Sequence, residues 1–396
     1  MLVQKYVDML EKKNIIRILS EFATNRGNEI GYDNVFDFSL GNPSVPAPQA
    51  FTDTCIAMLR EKNPMELHGY SPTLGIPYVR QKVAAYLNQK FGMNYTQDHI
   101  FMTSGAAGAL AHAFRLICNE GDEVLTFAPF FPEYHPYVDL SGAILKIVPP
   151  NTEDFQINFE AFTDMLNEKT KAILINSPNN PSGVVYSAKT LEKLADILKE
   201  KSKHYGHEIY LVSDEPYREI AFEGVQVPYP SRFYEDTISC YSFSKSLSLP
   251  GERMGYVAVN PACRDSKTMI QMCGQISRGI GHNCPASMFQ LAVAEHLEDT
   301  ADISVYERNM NLLYRELTAL GFTCLKPGGT FYIFPKALEE DANVFCQKAL
   351  KYDLILVPGD SFGCPGYFRM AYCIDTNKVE RSLPALRRFV ESEYPR

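Results

Sequence analysis

Apolar positions along this chain recur in two rhythms. Tyr6, Met9, Leu10, Ile16, Leu19 and Phe22 fall at approximately helical intervals over residues 5–24, predicting an amphipathic helix or a pair of helical turns. Val35-Phe-Asp-Phe-Ser-Leu40 reads as a short strand, and helical patterns follow at Gln49–Glu61 and Ile76–Phe91. Between those helices Gly69-Tyr-Ser-Pro-Thr-Leu-Gly75 is polar, aromatic and rich in turn formers, so it is expected to be exposed. Ile100–Thr103 then reads as a strand, Ser104-Gly-Ala-Ala-Gly108 as a small-residue loop, and Ala109–Cys118 as the helix that loop opens. Such a loop leaves backbone N–H groups free at the positive end of a helix, where an anion is stabilised.

From there short apolar runs alternate with helical ones. Strands are expected at Glu123–Ala128, Ile144–Val148, Lys171–Asn176, Ile209–Ser213, Thr237–Phe243 and Met254–Val259, with a helix at Leu191–Lys199. This alternation predicts an α/β fold whose mostly parallel sheet is covered by helices on both faces. Beyond Pro285 the pattern changes to helices at Ser287–Leu297, Ile303–Leu320 and Val344–Lys351 and short strands at Thr330–Phe334 and Phe368–Cys373, as in a smaller α+β domain. The Pro-rich passage Gly41–Pro48 reads as a crossing between domains, giving a large domain at 49–286 and a discontinuous small one from 1–48 and 287–396.

Composition narrows the functional classes. With 396 residues, 45% hydrophobic and 21% charged, the chain is an ordinary globular one that can bury a substantial core. Its 47 acidic and 38 basic residues leave a net charge of −9, which argues against nucleic acid as the main partner. Ten scattered cysteines show no metal-ligand spacing, so no metal site is expected and the thiols are read as reduced. Charges interrupt the apolar residues at the N-terminus and no long apolar run follows, so a cytoplasmic, non-membrane protein is expected.

In open parallel sheets ligands bind beyond the carboxyl ends of the strands, which singles out Asn180, Asp214, Ser242 and Lys245. Lys245 is read as lying in a tight turn where a strand ends, not on a helix face. A lysine becomes nucleophilic when burial and its neighbours depress its pKa. Ser242-Phe-Ser-Lys245 also matches the Ser-x-x-Lys motif of penicillin-binding acyl enzymes, but the accompanying Lys-Thr-Gly and Ser-Asp-Asn elements do not occur. An imine-forming lysine needs an electron sink, most often pyridoxal phosphate, whose protonated ring nitrogen requires an acidic partner such as Asp214.

With those residues in place the sequence resembles the fold-type I, class I/II pyridoxal-phosphate-dependent aminotransferases, aspartate aminotransferase among them. The resemblance runs from Phe38-Ser-Leu-Gly-Asn-Pro43 through Tyr70-Ser-Pro-Thr-Leu-Gly75, Asn176-Ser-Pro-Asn-Asn-Pro-Ser-Gly183, Ser213-Asp-Glu-Pro-Tyr217 and Ser242–Gly255 to Pro327-Gly-Gly-Thr-Phe-Tyr332 and Phe368-Arg-Met-Ala-Tyr372. It implies that Lys245 carries the coenzyme and later shuttles a proton, that Asp214 pairs with the ring nitrogen, and that Asn180 and Tyr217 hydrogen-bond the ring oxygen. It assigns the phosphate to the backbone of Gly105, Ala106 and Ala107, to Ser242, Ser244 and Arg253, and to Tyr70 from a neighbouring subunit, so that a homodimer is expected. Phe131 matches the position of the ring-stacking aromatic, where relatives usually carry Tyr or Trp. Ala106-Ala107 stands where relatives often have a hydroxyl.

The same resemblance gives Arg369 the substrate α-carboxylate, with Gly41 and Asn42 closing over it. Arg278 falls close to the arginine that aspartate-specific relatives use for the side-chain carboxylate. The expected reaction is transamination between an L-amino acid and a 2-oxo acid, with an acidic amino acid such as aspartate as a candidate substrate. A carbon–sulfur β-lyase on the same fold is the alternative. An aminotransferase-like transcription regulator is more remote, because the stretch before Gly41 reads as too short for a DNA-binding domain and the net charge is acidic. His135 and His282 are candidates for the pocket wall, without a stated role.

Overall fold

A computed structural model describes residues 2–11 and 15–395. Its strands in chain order are β1 (Phe36–Asp37), β2 (Ile100–Thr103), β3 (Glu123–Phe127), β4 (Ile144–Val148), β5 (Thr170–Asn176), β6 (Tyr210–Asp214), β7 (Thr237–Ser242), β8 (Gly255–Val259), β9 (Tyr332–Ile333), β10 (Leu354–Ile355), β11 (Val357–Pro358) and β12 (Phe368–Ala371). Seven of them form the main sheet in the order β2-β8-β7-β6-β5-β3-β4, in which β8 alone runs antiparallel to its neighbours. The α/β reading with a mostly parallel, helix-covered sheet is therefore correct.

Alternation along the strands divides the core into two faces, because successive side chains point opposite ways. Phe101, Val124, Ala172, Leu174, Val212, Ile238, Cys240 and Val257 pack against the helices Gly105–Ile117 and Ser266–Gly279. On the other face Leu125, Ile173, Ile175 and Leu211 meet the helix Ala188–Tyr205. Ile100, Met102, Tyr241, Tyr256 and Ala258 on that face meet the helices Gln49–Glu61 and Pro77–Phe91. Both faces are dry, which is why β7 and β8 are buried along their whole length and read as unbroken apolar or small residues.

A second body surrounds the antiparallel sheet β11-β12-β9 and the parallel pair β1-β10. Its core joins Phe38 to Tyr306, Leu313, Phe345, Phe368 and Phe389, so the N-terminal segment packs with the C-terminal third of the chain. Ala292, Val293 and Ala294, just beyond the expected boundary, share a core with Phe51, Val79 and Met102 of the main body. Main-chain continuity into the helix Ser287–Val293 keeps that segment against the helix Gln49–Glu61, where its apolar residues are covered.

Several local expectations change. The N-terminal stretch forms two helices, Gln4–Glu11 and Ile15–Ile30, while residues 12–14 of that expectation lie outside the described residues. The Ser104–Gly108 segment is not a loop before a helix; the helix begins at Gly105, since alanine is the best helix former and Ala106 and Ala107 continue directly into it. Lys245 is on a single helical turn, Phe243–Ser246, whose N-cap Ser242 accepts the Ser244 N–H at 3.1 Å. The turn is too short to show a helical period in the sequence. The helix Thr376–Glu393 was not foreseen at all; Asp375 caps it and Val379, Ala385, Leu386, Phe389 and Val390 form its buried stripe.

Phe345 is fully buried and its ring meets Phe322, Phe368 and Phe389 at centroid distances of 5.9, 4.8 and 5.0 Å. Phe345→Ala is expected to cost about 3–5 kcal/mol of unfolding free energy in a urea titration; a loss below about 1 kcal/mol would show that the small body repacks around the hole.

Candidate active site

The carboxyl ends of β2, β5, β6 and β7 lie along one edge of the main sheet, with Asn176 opposite Asp214, Asp214 opposite Cys240, and Gly255 between Thr103 and Ser242. Asn176, Asp214 and Ser242 share the strand parity of Leu174, Val212 and Cys240, so they point to the face that the helix Gly105–Ile117 covers. A cavity of about 320 Å³ opens there. Of the residues expected at the site, Gly41, Ala106, Ala107, Phe131, Asn180, Asp214, Tyr217, Ser242, Ser244, Lys245, Arg253 and Arg369 line it.

Asp214 is buried at the floor. Its Oδ2 accepts the Tyr134 hydroxyl at 2.7 Å, whereas Oδ1 is buried without a hydrogen-bond partner. Burial raises its pKa from 3.8 to about 7, against the lowering effect of Tyr134, and the neighbouring Glu215 raises it further. Lys245 is half-buried, and its Nζ donates to the Gly41 carbonyl at 2.7 Å. Desolvation brings it down from 10.5 to about 8; Cys373 opposes that fall, and the cations Arg253 and Arg369 add to it.

Arg369 is 2% exposed. Its NH1 donates to Asn180 Oδ1 at 3.1 Å and its NH2 to the Ser39 carbonyl at 2.5 Å, while Nε has no partner. The guanidinium lies between the rings of Tyr332 and Phe362, 4.6 and 4.9 Å from their centroids. Among the described residues it forms no ion pair, although burial of an unpaired cation is costly. A polar chain continues from it: the Asn180 N–H donates to Asn176 Oδ1 at 2.7 Å, and Asn176 Nδ2 donates to the Asp214 carbonyl at 2.9 Å. Tyr217 and Tyr332 hydroxyls stand 3.3 Å apart above this chain.

At the opposite end the helix Gly105–Ile117 begins without a side-chain cap. Gly105 has φ +71°, and a Cβ there would lie 2.9 Å from Arg253 NH2, so glycine allows the guanidinium to sit against the helix start. Arg253 is held by the Pro250 and Ser104 carbonyls at 2.9 and 3.3 Å. Ser242 and Ser244 hydroxyls lie 2.8 Å apart on the same wall.

Not every expected residue is in the cavity. Tyr70 is fully exposed on its loop, Asn42 is exposed beside Gly41, and Arg278 is exposed near the end of the helix Ser266–Gly279. None of the three lines the cavity in its own chain, and neither do Gly105, His135 and His282. Conversely, Ile16, Leu110, Tyr137, Pro216, Pro250 and Tyr332 line it and were not foreseen, nor was Tyr134 beneath it. Tyr332 closes the Pro327–Tyr332 motif and could have been found there; Tyr134 had no signal beyond its nearness to Phe131.

A family profile described as Aminotransferase class I and II matches residues 33–386. The chain belongs to the class I and II aminotransferases. It is similar to an aspartate aminotransferase of Bacillus subtilis, 30% identical over 91% of this chain and 92% of that one. An amino transferase from Eubacterium rectale superposes with a TM-score of 0.96 at 42% identity over all of both chains. The aspartate aminotransferase of Thermus thermophilus with maleate superposes with a TM-score of 0.86 at 25% identity, covering 98% of this chain and 99% of that one. As an aminotransferase of this family the protein is a transferase that uses pyridoxal phosphate. The cavity suits that coenzyme: an unsatisfied buried carboxylate oxygen, an uncapped helix start beside an arginine, and a partly dehydrated lysine are its complements.

Two tests follow from this geometry. In Gly41 an added Cβ would overlap the Tyr332 hydroxyl, so Gly41→Ala must displace either the Lys245 acceptor or the Arg369 platform. Its kcat/KM is expected to fall by about tenfold or more, with partial recovery in the Gly41→Ala, Tyr332→Phe double variant; wild-type kinetics in the single variant would refute the contact. For Asp214 the folded pKa lies above the unfolded one, so its contribution is present in full below about 4 and is lost as pH rises through about 7. The coenzyme-stripped protein should therefore be roughly 2–3 kcal/mol less stable at about pH 8 than at about pH 5 on this account, and Asp214→Asn should flatten that slope in urea titrations. An unchanged slope in the variant would show that other groups set it.

Proposed function

We propose that this aminotransferase moves an amino group between an acidic L-amino acid such as aspartate and a 2-oxo acid, with Lys245, Asp214 and Arg369 as its central residues. The observation that carries the reading is Arg369: a buried, unpaired guanidinium with a free Nε–H, aimed into a cavity that also holds a half-buried lysine. A substrate carboxylate supplies the missing anion as a two-pronged acceptor, in the geometry a guanidinium favours. Asn180 keeps the fork oriented through NH1.

When bound, pyridoxal phosphate supplies an electron sink for the bond broken at the substrate α-carbon. Asp214 would stabilise a proton on the ring nitrogen, and a neighbouring positive charge would draw its own pKa back down. Asn180 and Tyr217 would hold the ring oxygen; Gly105, Ala106 and Ala107 N–H groups, Ser242, Ser244 and Arg253 would hold the phosphate; Phe131 would lie on the ring. Lys245, brought down to about 8, exists in part as a neutral amine near neutral pH, as required of a group that takes a proton from one carbon and returns it to another. Gly41 and Asn42 would close over the substrate as the small body, 1–48 and the chain beyond about residue 297, moves in.

The side-chain carboxylate of an acidic substrate needs a further cation, since Lys245, Arg253 and Arg369 are already engaged. Arg278, exposed in its own chain, is proposed to provide it across a homodimer interface, with the exposed Tyr70 reaching the partner's phosphate. Relatives named aspartate aminotransferase support this substrate class. No helix among the described residues is long and apolar enough to cross a membrane, and ten unpaired thiols support a cytoplasmic location.

Borohydride reduction followed by peptide mass spectrometry should place the coenzyme on Lys245, and Lys245→Ala should abolish both that label and turnover; label elsewhere would overturn the assignment. In a half-reaction panel of amino acids followed spectrally, Arg278→Ala should lower kcat/KM for aspartate about a hundredfold while changing alanine and phenylalanine little. Equal losses for all three would remove Arg278 from substrate recognition.

A further inference from the structure

Behind the active-site edge, on the opposite face of the main sheet, lies a buried ionic cluster that the chemistry described above does not use. Arg218 is at its centre. Its NH1 donates to Glu215 Oε2 at 3.0 Å, its Nε to Glu219 Oε1 at 3.1 Å and its NH2 to the Tyr256 hydroxyl at 2.9 Å, while the guanidinium stacks 4.2 Å from the Tyr241 ring centroid. The Arg218 and Glu215 side chains are only 2% and 1% exposed. Lys90 stands 3.5 Å from Glu219, and Tyr86, Tyr95 and Tyr229 are the remaining titratable groups around the cluster. Arg218 thus faces two carboxylates in a buried, aromatic enclosure, with Lys90 exposed at its rim.

A structural ion cluster is expensive to bury, and apolar residues of similar size fill such a space at least as well. What apolar residues cannot do is fix direction. Glu215 directly follows Asp214, and its side chain points the other way because strand residues alternate. At the other end Glu219 Oε2 accepts the Tyr241 hydroxyl at 2.8 Å, and that hydroxyl lies 2.9 Å from Ser246 Oγ, on the helical turn next to Lys245. Tyr241 and Tyr256 are register partners on β7 and β8, so the path runs across the strands that hold the coenzyme end of the sheet. The Glu215 N–H also donates to the Cys240 carbonyl at 2.8 Å, closing the frame.

We infer that Arg218 is a positioning residue for transamination: from the far face of the sheet it couples the strand end bearing Asp214 to the turn bearing Lys245 and so sets their mutual geometry. This rests on the roles proposed above for those two residues. Arg218 touches neither substrate nor coenzyme. A lysine in its place keeps one charge but loses the fork that reaches Glu215, Glu219 and Tyr256 together.

The experiment uses the coenzyme-loaded protein and three variants, Arg218→Lys, Tyr241→Phe and the double variant, with thermal melts to confirm folding. For Arg218→Lys, kcat is expected to fall about tenfold with KM for the amino acid changed less than about twofold, because the Arg369–Asn180 grip is outside the cluster. The midpoint of the visible-absorbance pH titration is expected to move by about half a unit or more, a signature that loss of packing alone does not produce. Tyr241→Phe, which keeps the ring and removes only the hydroxyl that joins Glu219 to Ser246, should shift both readouts the same way by a smaller amount, about threefold in kcat. The double variant should be no worse than Arg218→Lys, since both changes cut one path.

Folded Arg218→Lys with wild-type kcat and midpoint overturns the inference. Should the Arg218 variant not fold, wild-type values in Tyr241→Phe overturn it equally. Multiplying effects in the double variant do so as well, because they mean two independent contacts. Failure of borohydride to label Lys245 in the wild type would instead defeat the underlying site assignment, and with it the inference, whatever the variants show.

Discussion

Desolvation without pairing is the constraint on which this structure depends. Asp214, Lys245 and Arg369 line one cavity, yet the hydrogen bonds each makes go to neutral partners: the Tyr134 hydroxyl, the Gly41 carbonyl, and the Asn180 oxygen with the Ser39 carbonyl. Had the carboxylate met either cation, the pair would have neutralised both and left nothing for ligands to complete. Kept apart and desolvated, the carboxyl is pushed up to about 7 and the amine down to about 8, each toward its neutral form.

The two faces of the sheet divide the labour. One presents Asn176, Asp214 and Ser242 to the cavity; the other buries Glu215, Arg218, Tyr241 and Tyr256 in a braced ionic cluster. Strand alternation makes this division available to any pair of adjacent residues at a strand end, and Asp214-Glu215 uses both sides of it. The second body enters through Arg369 on β12 and Ser39 beside β1, whose link ties the two ends of the chain to the cavity.

Much of this was legible beforehand, and for a common reason. Strands buried on both faces read as uninterrupted apolar runs, and the polar residue that ends each run stands out, which is how Asp214 and Lys245 could be singled out one at a time. Elements whose signal is spread or interrupted escaped. The helix Thr376–Glu393 carries Pro384 in its interior and charges on its outer side, although its Asp375 cap was a usable sign. The single turn Phe243–Ser246 spans barely one period, too little for a helical pattern to repeat. Tyr134 and the Arg218 cluster were invisible because the contacts that tie them to the site, Tyr134 to Asp214 and Arg218 to Tyr256 and Tyr241, join residues far apart in the chain.

The order of residues along the chain determined the class of fold and the family with its coenzyme, because those follow from local pattern and from motifs that are contiguous. Only folding decided that one Asp214 oxygen stays unpaired, that Tyr332 roofs Gly41, and that Arg278 and Tyr70 face outward from their own chain. Hydrophobic periodicity is a property of neighbours in sequence, whereas dehydration and the absence of a partner belong to three-dimensional surroundings. A linear text carries the first and is silent about the second.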